Sequence, residues 1–207
     1  MIAYALEAAQ ESALFDKIHV STDSDEICEV VEALGFPVEF KRAPELADDF
    51  TGLVPVLRWV VDQYLSRGAI YDQVCCIMPN APLLQIQDLI SAFKIFEGHQ
   101  GSHPLLVFAK FPVPVEWAFR QDAEGLMSAI SPESCLIRSQ DLEGAYYECG
   151  PFHIWRQEHL ARDNPLTGKV LSYVLPLERA VDIDSPEDLA YAERLYRISG
   201  DAGGNRN

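Results

Sequence analysis

Two aspartates separated by one apolar residue are the first candidates for chemistry in this sequence. In an extended conformation, Asp182 and Asp184 would place their carboxylates on one face and Ile183 on the other. Magnesium binds a pair of carboxylates together with water and substrate phosphates. The spacing therefore predicts a Mg²⁺ site at Asp182 and Asp184. The alternative is a solvated acidic turn ahead of the helix that follows Ser185.

Two arginines lie in loops, where α/β folds place many of their ligand contacts. The guanidinium of Arg42 suits a base, a ribose or a phosphate, and the alternative is a surface ion pair with Glu45 or Asp48. Arg138 begins the stretch Arg-Ser-Gln-Asp-Leu. Its guanidinium suits a substrate carboxylate, and the alternative is an ion pair with Asp141.

A proline-bounded loop follows the most apolar run of the chain. Residues 74–78 are continuously apolar, which predicts a strand covered on both faces, and residues 79–82 should therefore lie at the carboxyl edge of a parallel sheet. Pro79 and Asn80 become candidates for ligand contact there. Tyr146 and Phe152 could wall a sugar site or pack in the core, as clustered aromatic residues more often do.

Several function classes are disfavoured. The chain has no Gly-x-Ser-x-Gly elbow, glycine-rich phosphate loop or paired metal-ligand histidines. A formal charge of −16 would repel nucleic acid and anionic lipid, and no apolar run is long enough to span a bilayer. The sequence also does not open on the basic and then apolar segments of a signal peptide, so we expect a cytoplasmic protein. The five cysteines include no Cys-x-x-Cys pair, which predicts reduced, buried thiols.

The periodicity of apolar residues predicts alternating helices and strands, typical of a doubly wound α/β domain with a mostly parallel sheet. We expect one domain over residues 1–198 with a small antiparallel insertion over about 111–176. Residues 199–207 read as a disordered tail. The predicted helices start near residues 2, 27, 53, 86 and 186, and the predicted strands cover residues 18–21, 37–40, 74–78 and 105–108.

Six ordered blocks resemble the cytidylyltransferases that activate nonulosonic acids, a family of acylneuraminate (CMP-sialic acid) synthetases and pseudaminic acid cytidylyltransferases. The resemblance covers nearly the whole chain. The blocks are Ile2-Ala-Tyr-Ala-Leu-Glu-Ala-Ala, Val20-Ser-Thr-Asp-Ser-Asp-Glu-Ile, Arg42-Ala-Pro-Glu-Leu-Ala-Asp-Asp, Pro79-Asn-Ala-Pro-Leu, Arg138-Ser-Gln-Asp-Leu and Asp182-Ile-Asp-Ser-Pro-Glu-Asp.

The resemblance implies a Rossmann-like nucleotidyltransferase fold with three α/β/α layers. It also implies transfer of CMP from CTP to the anomeric hydroxyl of a nine-carbon keto-sugar acid, with release of pyrophosphate. We also expect a homodimer, because an exposed sheet edge and an apolar first helix favour oligomerisation. Asp182 and Asp184 match the catalytic magnesium carboxylates. The other implied contacts are Arg42, Pro79 and Asn80 with the nucleotide, and Arg138, Ser139, Gln140, Tyr146 and Phe152 with the sugar.

The identity of the sugar rests on four positions. Ser139 resembles the pseudaminate type, and Met78 stands where sialate enzymes tend to carry glutamine. Pro151 and His153 depart from the pseudaminate pattern. A sialate, legionaminate or other keto-sugar acid therefore stays open as an alternative substrate.

One family feature is not found in this sequence. Members begin with a strand and a basic, glycine-containing loop that cradles the triphosphate, whereas this chain opens in the following helix, roughly 20 to 25 residues later by ordinary strand and loop lengths. One explanation is that Met1 is an internal methionine of a longer enzyme and was taken as its start. The other is a non-catalytic homologue that binds a ligand or assembles with a partner.

Overall fold

The structure, a computed structural model, describes residues 1–161 and 168–203. None of the helices in these two ranges is long and apolar enough to cross a membrane. The helices are α1 (Ile2–Ser12), α2 (Asp25–Ala33), α3 (Leu53–Ser66), α4 (Ile86–Gly98), α5 (Gln157–Leu160) and α6 (Pro186–Gly203). The strands are β1 (Gln73–Ile77), β2 (Leu105–Lys110), β3 (Phe119–Gln121), β4 (Met127–Ala129), β5 (Tyr146–Arg156) and β6 (Leu171–Leu175).

Four strands form the central sheet in the order β1-β5-β2-β6. Strand β2 pairs with β6 in parallel, and β5 lies between β1 and β2 and is antiparallel to both. Strands β1, β2 and β6 therefore run in one direction and only β5 is reversed. The predicted α/β class with a mostly parallel sheet is confirmed.

The region predicted as an antiparallel insertion contains two strands of the central sheet. Strands β5 and β6 lie within residues 111–176, and only the β3–β4 hairpin forms a separate antiparallel sheet there. Sequence reasoning missed β5 because Gly150, Pro151 and His153 interrupt its apolar pattern.

Helices cover both faces of the central sheet, which gives three layers. On one face, Ala8 of α1 and Leu89, Ala92 and Phe96 of α4 pack against buried residues of β2 and β5. On the other face, α3 and α5 enclose the fully buried Trp155. Apolar side chains leave water on both sides of the sheet, and this burial is the main favourable contribution to folding.

Two predicted strands are absent from the part of the chain that the structure describes. A strand requires a hydrogen-bonded neighbour. Residues 18–21 and 37–40 have no such neighbour among the described residues and are therefore irregular. Their aromatic side chains pack on α3 instead. The ring of His19 stacks on Phe40 at 4.5 Å, and its Nδ1 lies 3.2 Å from the hydroxyl of Tyr64.

Helix α6 begins as its sequence predicts and ends later. The Ser185 hydroxyl accepts a hydrogen bond from the Asp188 amide at 3.2 Å, and the Asp188 carboxylate accepts one from the Ser185 amide at 2.9 Å, which is a capping box. The helix continues to Gly203, beyond the predicted end at residue 198. Each added residue contributes a backbone hydrogen bond once a helix has formed. Residues 204–207 lie outside the described ranges.

A buried carboxylate joins the start of α4 to β6 and to the chain that follows it. Asp88 is 2% exposed and accepts hydrogen bonds from the Gln85 amide at 2.9 Å and the Tyr173 hydroxyl at 2.8 Å. The guanidinium of Arg179 forms a salt bridge with the same carboxylate. Three elements are thereby held at one point in the interior.

Replacing Asp88 should therefore destabilise the protein strongly. We expect Asp88→Ala to lower the free energy of unfolding by about 3–5 kcal/mol, because it leaves the Arg179 charge buried without its partner. Urea denaturation measures the change. The control is Glu193→Ala, which removes an exposed ion pair with Arg197 and should cost less than about 1 kcal/mol. If both variants lost the same free energy of unfolding, the Asp88–Arg179 salt bridge would contribute no more than an exposed ion pair, which would contradict this prediction.

The buried position of His19 predicts a pH-dependent stability. Burial lowers the pKa of His19 from its ordinary value of 6.5 to about 4, and the nearby Glu39 carboxylate opposes that shift only partly. Between these two pH values the unfolded chain binds more protons at this residue than the folded chain does. Its contribution to stability is therefore complete above pH 6.5 and is lost as the pH falls toward 4.

Replacement of the imidazole should flatten this dependence. We expect His19→Gln to reduce the fall in thermal midpoint between pH 6.5 and 4 relative to the parent protein. The matched control is His99→Gln, since His99 is exposed at the end of α4. Identical pH profiles for the parent and His19→Gln would show that His19 does not contribute.

Candidate functional site

Several predicted site residues meet at the carboxyl end of β1. The strand ends at Ile77, and the amide of Met78 then donates to the carbonyl of Pro151 at 2.9 Å. This bond holds the loop after β1 against the middle of β5. Two cavities meet at this point, because Met78 lines both a groove of about 530 Å³ and a smaller cavity of about 90 Å³.

The smaller cavity joins two candidates that lie far apart in the sequence. The side-chain amide of Asn80 donates to Oδ1 of Asp182 at 2.9 Å. Asp182 and Asp184 are exposed, whereas Val181 and Ile183 are half-buried, so both carboxylates are on the solvent side. The remaining lining residues are Met78, Ala81, Cys149, Gly150, Pro151 and Val181.

The chemistry of the aspartate pair fits Mg²⁺. Two exposed carboxylates offer the hard oxygen ligands that this ion prefers, and water and phosphate oxygens supply the rest in sites of this kind. Within residues 1–161 and 168–203, no cluster of three or more Asp, Glu, His or Cys side chains is arranged to hold a metal. An ion held by Asp182 and Asp184 would therefore take its remaining ligands from water and from the phosphates of a bound substrate.

Arg42 and Pro79 both line the larger groove. Its guanidinium donates to the Ser21 hydroxyl at 3.1 Å and to the Ser21 carbonyl at 2.6 Å. Among the described residues it forms no ion pair with Glu45 or Asp48, the predicted alternative. The half-buried arginine is thus positioned by the segment that precedes α2.

Asp48 stabilises the loop after Arg42. Its Oδ1 accepts hydrogen bonds from the backbone amides of Phe50 at 2.9 Å and Thr51 at 2.6 Å. These bonds lower the pKa of the Asp48 carboxyl, the bond from Phe50 most of all. Asp48 therefore orders the approach to α3.

The predicted sugar contacts Arg138, Ser139, Gln140 and Tyr146 are not among the residues that line the smaller cavity. Arg138 is 72% exposed in its side chain and forms a salt bridge with Asp141 at 2.8 Å, as its alternative reading predicts. Ser139 and Gln140 are exposed in a short 3₁₀ turn, and Tyr146 is 52% exposed opposite Lys110. In the described ranges, no hydrogen bond links these side chains to Asn80 or Asp182.

Phe152 packs in the core, which differs from the predicted sugar contact. Its side chain is fully buried, and its ring lies 6.3 Å from that of Tyr173. Alternation along β5 turns Phe152 toward α4 and away from solvent. Phe152 is therefore a core residue, which is the alternative that the sequence offered for the aromatic residues.

Sequence reasoning missed a pair of polar residues on β5. Nε2 of His153 lies 3.0 Å from Oε1 of Glu148, and the Gly150 amide donates to the same oxygen at 2.7 Å. The bond from His153 is the main cause that lowers the pKa of Glu148, against the opposing effect of burial. Residues five apart on a regular strand lie on opposite faces. Here the register shifts between His153 and Glu148, and Gly150 has a φ of +70°, which brings them together.

Comparison with known proteins agrees with this architecture. The cytidylyltransferase family profile matches residues 1–199. The chain is 32% identical over 200 residues to the pseudaminic acid cytidylyltransferase of Campylobacter jejuni subsp. jejuni serotype O:23/36 (strain 81-176), covering 96% of this chain and 86% of that protein. It is 24% identical over 212 residues to the CMP-N,N'-diacetyllegionaminic acid synthase of Legionella pneumophila subsp. pneumophila (strain Philadelphia 1), covering 98% and 87% of the two proteins.

A solved structure shows the same fold. The CMP:2-keto-3-deoxy-manno-octonic acid synthetase complexed with CTP superimposes with a TM-score of 0.68 at 12% identity, covering 96% of this chain and 88% of that one. The match of the family profile over nearly the whole chain, together with the C. jejuni relative, establishes that this protein belongs to the cytidylyltransferase family.

Proposed function

We propose that this protein transfers CMP from CTP to the anomeric hydroxyl of a nonulosonic acid and releases pyrophosphate. The observation that supports this best is the contact between Asn80 and Asp182, which puts an acidic pair at the carboxyl edge of the sheet. Open α/β sheets bind their ligands at this edge. Family membership and the names of both sequence relatives agree with the reaction.

In this reaction the anomeric oxygen forms a bond to the α-phosphorus of CTP. The bond from that phosphorus to the oxygen bridging to the β-phosphate breaks, and the hydroxyl proton is released. Asp182 and Asp184 would hold Mg²⁺, which neutralises charge on the α-phosphate and on the leaving pyrophosphate. Asn80 orients Asp182 through its side-chain amide. Arg42, held by Ser21, is assigned to the nucleotide.

The proposed sugar is pseudaminic acid or a close analogue. The pseudaminic acid enzyme of C. jejuni is the more similar of the two sequence relatives described above, at 32% identity. Ser139 also resembles the pseudaminate type. Legionaminic acid is the alternative that the second relative supports. Incubation with CTP and a panel of sugar acids, followed by mass spectrometry of the products, separates these substrates.

Removal of both acidic side-chain charges should abolish turnover. We expect Asp182→Asn combined with Asp184→Asn to slow pyrophosphate release by roughly 100-fold or more, because the metal loses its two protein ligands. The control is Glu187→Gln, which removes an exposed charge from the first turn of α6 nearby. Unchanged turnover in the double variant would contradict the metal assignment. No turnover in the parent chain with any sugar acid would contradict the proposed reaction.

The β3–β4 hairpin and its flanking loops carry an exposed apolar surface. We propose that this surface, called here the hairpin surface, joins two copies of the chain into a homodimer. Contiguous exposed apolar residues are typical of protein interfaces. Those more than half exposed are Val113, Phe119, Leu126, Met127, Ile130 and Leu136.

Polar substitution in the hairpin surface should therefore produce monomers. We expect Phe119→Ser combined with Leu136→Ser to sediment as a monomer at concentrations at which the parent is a dimer, because both side chains are exposed, by 54% and 94%. Sedimentation velocity makes the measurement. The control is Ile70→Ser, since Ile70 is 72% exposed and lies outside the hairpin surface. A monomeric parent protein would contradict the proposal.

A further inference from the structure

Strand β5 departs from regular pairing between Glu148 and His153. Leu106 of β2 pairs with His153, and Phe108, two residues later, pairs with Glu148. Residues 149–152 therefore lie opposite a single residue of β2, and we call them the β5 bulge. An insertion of this kind removes hydrogen bonds of the sheet, so the bulge needs other partners for its backbone.

Two backbone groups of the β5 bulge have such partners. The Gly150 amide donates to Oε1 of Glu148 at 2.7 Å. The Pro151 carbonyl accepts from the Met78 amide at 2.9 Å. Pro151 has no amide hydrogen to satisfy, and Gly150 has a φ of +70°, which a glycine adopts without strain. The bulge is therefore held at two points, one on β5 itself and one in the loop after β1.

His153 holds the side chain on which the first of these points depends. Its Nε2 lies 3.0 Å from the Glu148 oxygen that also accepts from Gly150. An ionised carboxylate only accepts hydrogen bonds, so Nε2 carries the proton and donates it. The side chain of His153 is 10% exposed and that of Glu148 is 40% exposed. A buried imidazole thus holds a partly exposed carboxylate against the backbone of the bulge.

The β5 bulge contributes part of the wall of the smaller cavity. Residues 149–151 line this cavity together with Asn80 and Asp182. Neither Glu148 nor His153 is among its lining residues. These two side chains can therefore act on the cavity only through the backbone that they hold, which makes them positioning residues and not catalytic residues.

The β5 bulge is also connected to Asn80 through the loop after β1. The Pro151 carbonyl binds the Met78 amide, and Met78 lies two residues before Asn80 in the chain. Gly150, which Glu148 holds, directly precedes Pro151. A change in the contact between Glu148 and Gly150 therefore acts next to the bond that fixes this loop.

We propose that Glu148 and His153 form a clasp that fixes the β5 bulge and thereby positions Asn80 and Asp182 in the smaller cavity. The role of this clasp in catalysis rests on the proposed cytidylyl transfer, in which Asp182 would hold the metal. Small displacements of groups that must align with a reacting centre lower the rate steeply. Loss of the clasp should therefore loosen the loop after β1 and slow turnover.

Amide hydrogen exchange of the full chain tests the clasp without any enzymatic activity. We expect Glu148→Ala to speed exchange of the Gly150 and Met78 amides by roughly tenfold or more and to leave the amides of α4 unchanged, because only the bulge loses a partner. Glu148→Gln should exchange like the parent protein, since its amide oxygen can still accept both hydrogen bonds. The matched control is Glu143→Ala, which removes an exposed carboxylate just ahead of β5.

A second set of variants tests whether His153 acts through Glu148. His153→Leu should speed the same exchange less than Glu148→Ala does, because Glu148 can still accept from the Gly150 amide. Combined with Glu148→Ala, His153→Leu should add no further change at these amides, since the two residues would act as one unit. His153→Gln, whose side-chain amide can donate, should return exchange toward that of the parent protein.

Steady-state kinetics measures the effect of the clasp on the proposed reaction. We expect Glu148→Ala to lower kcat by roughly tenfold or more and to change the KM for CTP by less than about threefold, because Arg42 is held by Ser21 and not by the bulge. Glu148→Gln should restore most of kcat. A variant that is only less stable would show neither this split between kcat and KM nor the rescue by glutamine.

The contrary outcomes can be told apart. Unchanged exchange at Gly150 and Met78 in Glu148→Ala, or an equal increase in α4, would overturn the clasp. Faster exchange with an unchanged kcat would overturn its role in positioning the site. If the parent protein showed no turnover with CTP and the panel of sugar acids, the proposed reaction and the catalytic role would both be wrong, and the exchange data would still decide whether the clasp holds the loop.

Discussion

The buried salt bridge between Asp88 and Arg179 is the constraint on which the candidate site depends. It connects the first turn of α4, through Asp88, to Tyr173 on β6 and to Arg179, three residues before Asp182. A charge in the interior is tolerated only with a partner of opposite charge and well-placed hydrogen bonds, so this contact has few alternatives. The acidic pair after Arg179 thus begins from a fixed point in the core. Without that point, the contact between Asn80 and Asp182 would join two independent loops.

The reversed strand β5 supplies the second half of the site. Its regular part pairs with β1 and β2 through the core, and the register shift near Gly150 ends that regularity at the carboxyl edge of β1. The backbone of Pro151 holds Met78 there, and Glu148 and His153 form a polar pair beside it. One strand therefore builds both the middle of the core and one wall of the cavity. Irregularities in strands commonly re-aim side chains at functional sites in this way.

The net charge of the chain determines which groups could bind the nucleotide in the proposed reaction. A chain with a formal charge of −16 repels a nucleoside triphosphate, so binding depends on cations concentrated at the site. Arg42 is one such group, and an ion at Asp182 and Asp184 would be the other. Arg42 lines the larger groove and Asp182 lines the smaller cavity, and Met78, directly after β1, lines both.

The sequence by itself determined the α/β class, the bounds of most helices and the identity of β1 and β2, because helix periodicity, caps and continuous apolar runs are local signals. It also identified Asp182, Asp184, Asn80 and Arg42 as candidates. Only the tertiary structure decided that Asn80 meets Asp182, that Phe152 is core, and that β5 lies reversed between β1 and β2. It also decided that residues 18–21 have no strand partner in the described ranges. Pairing and burial depend on contacts between residues far apart in the chain, and no local pattern specifies those contacts.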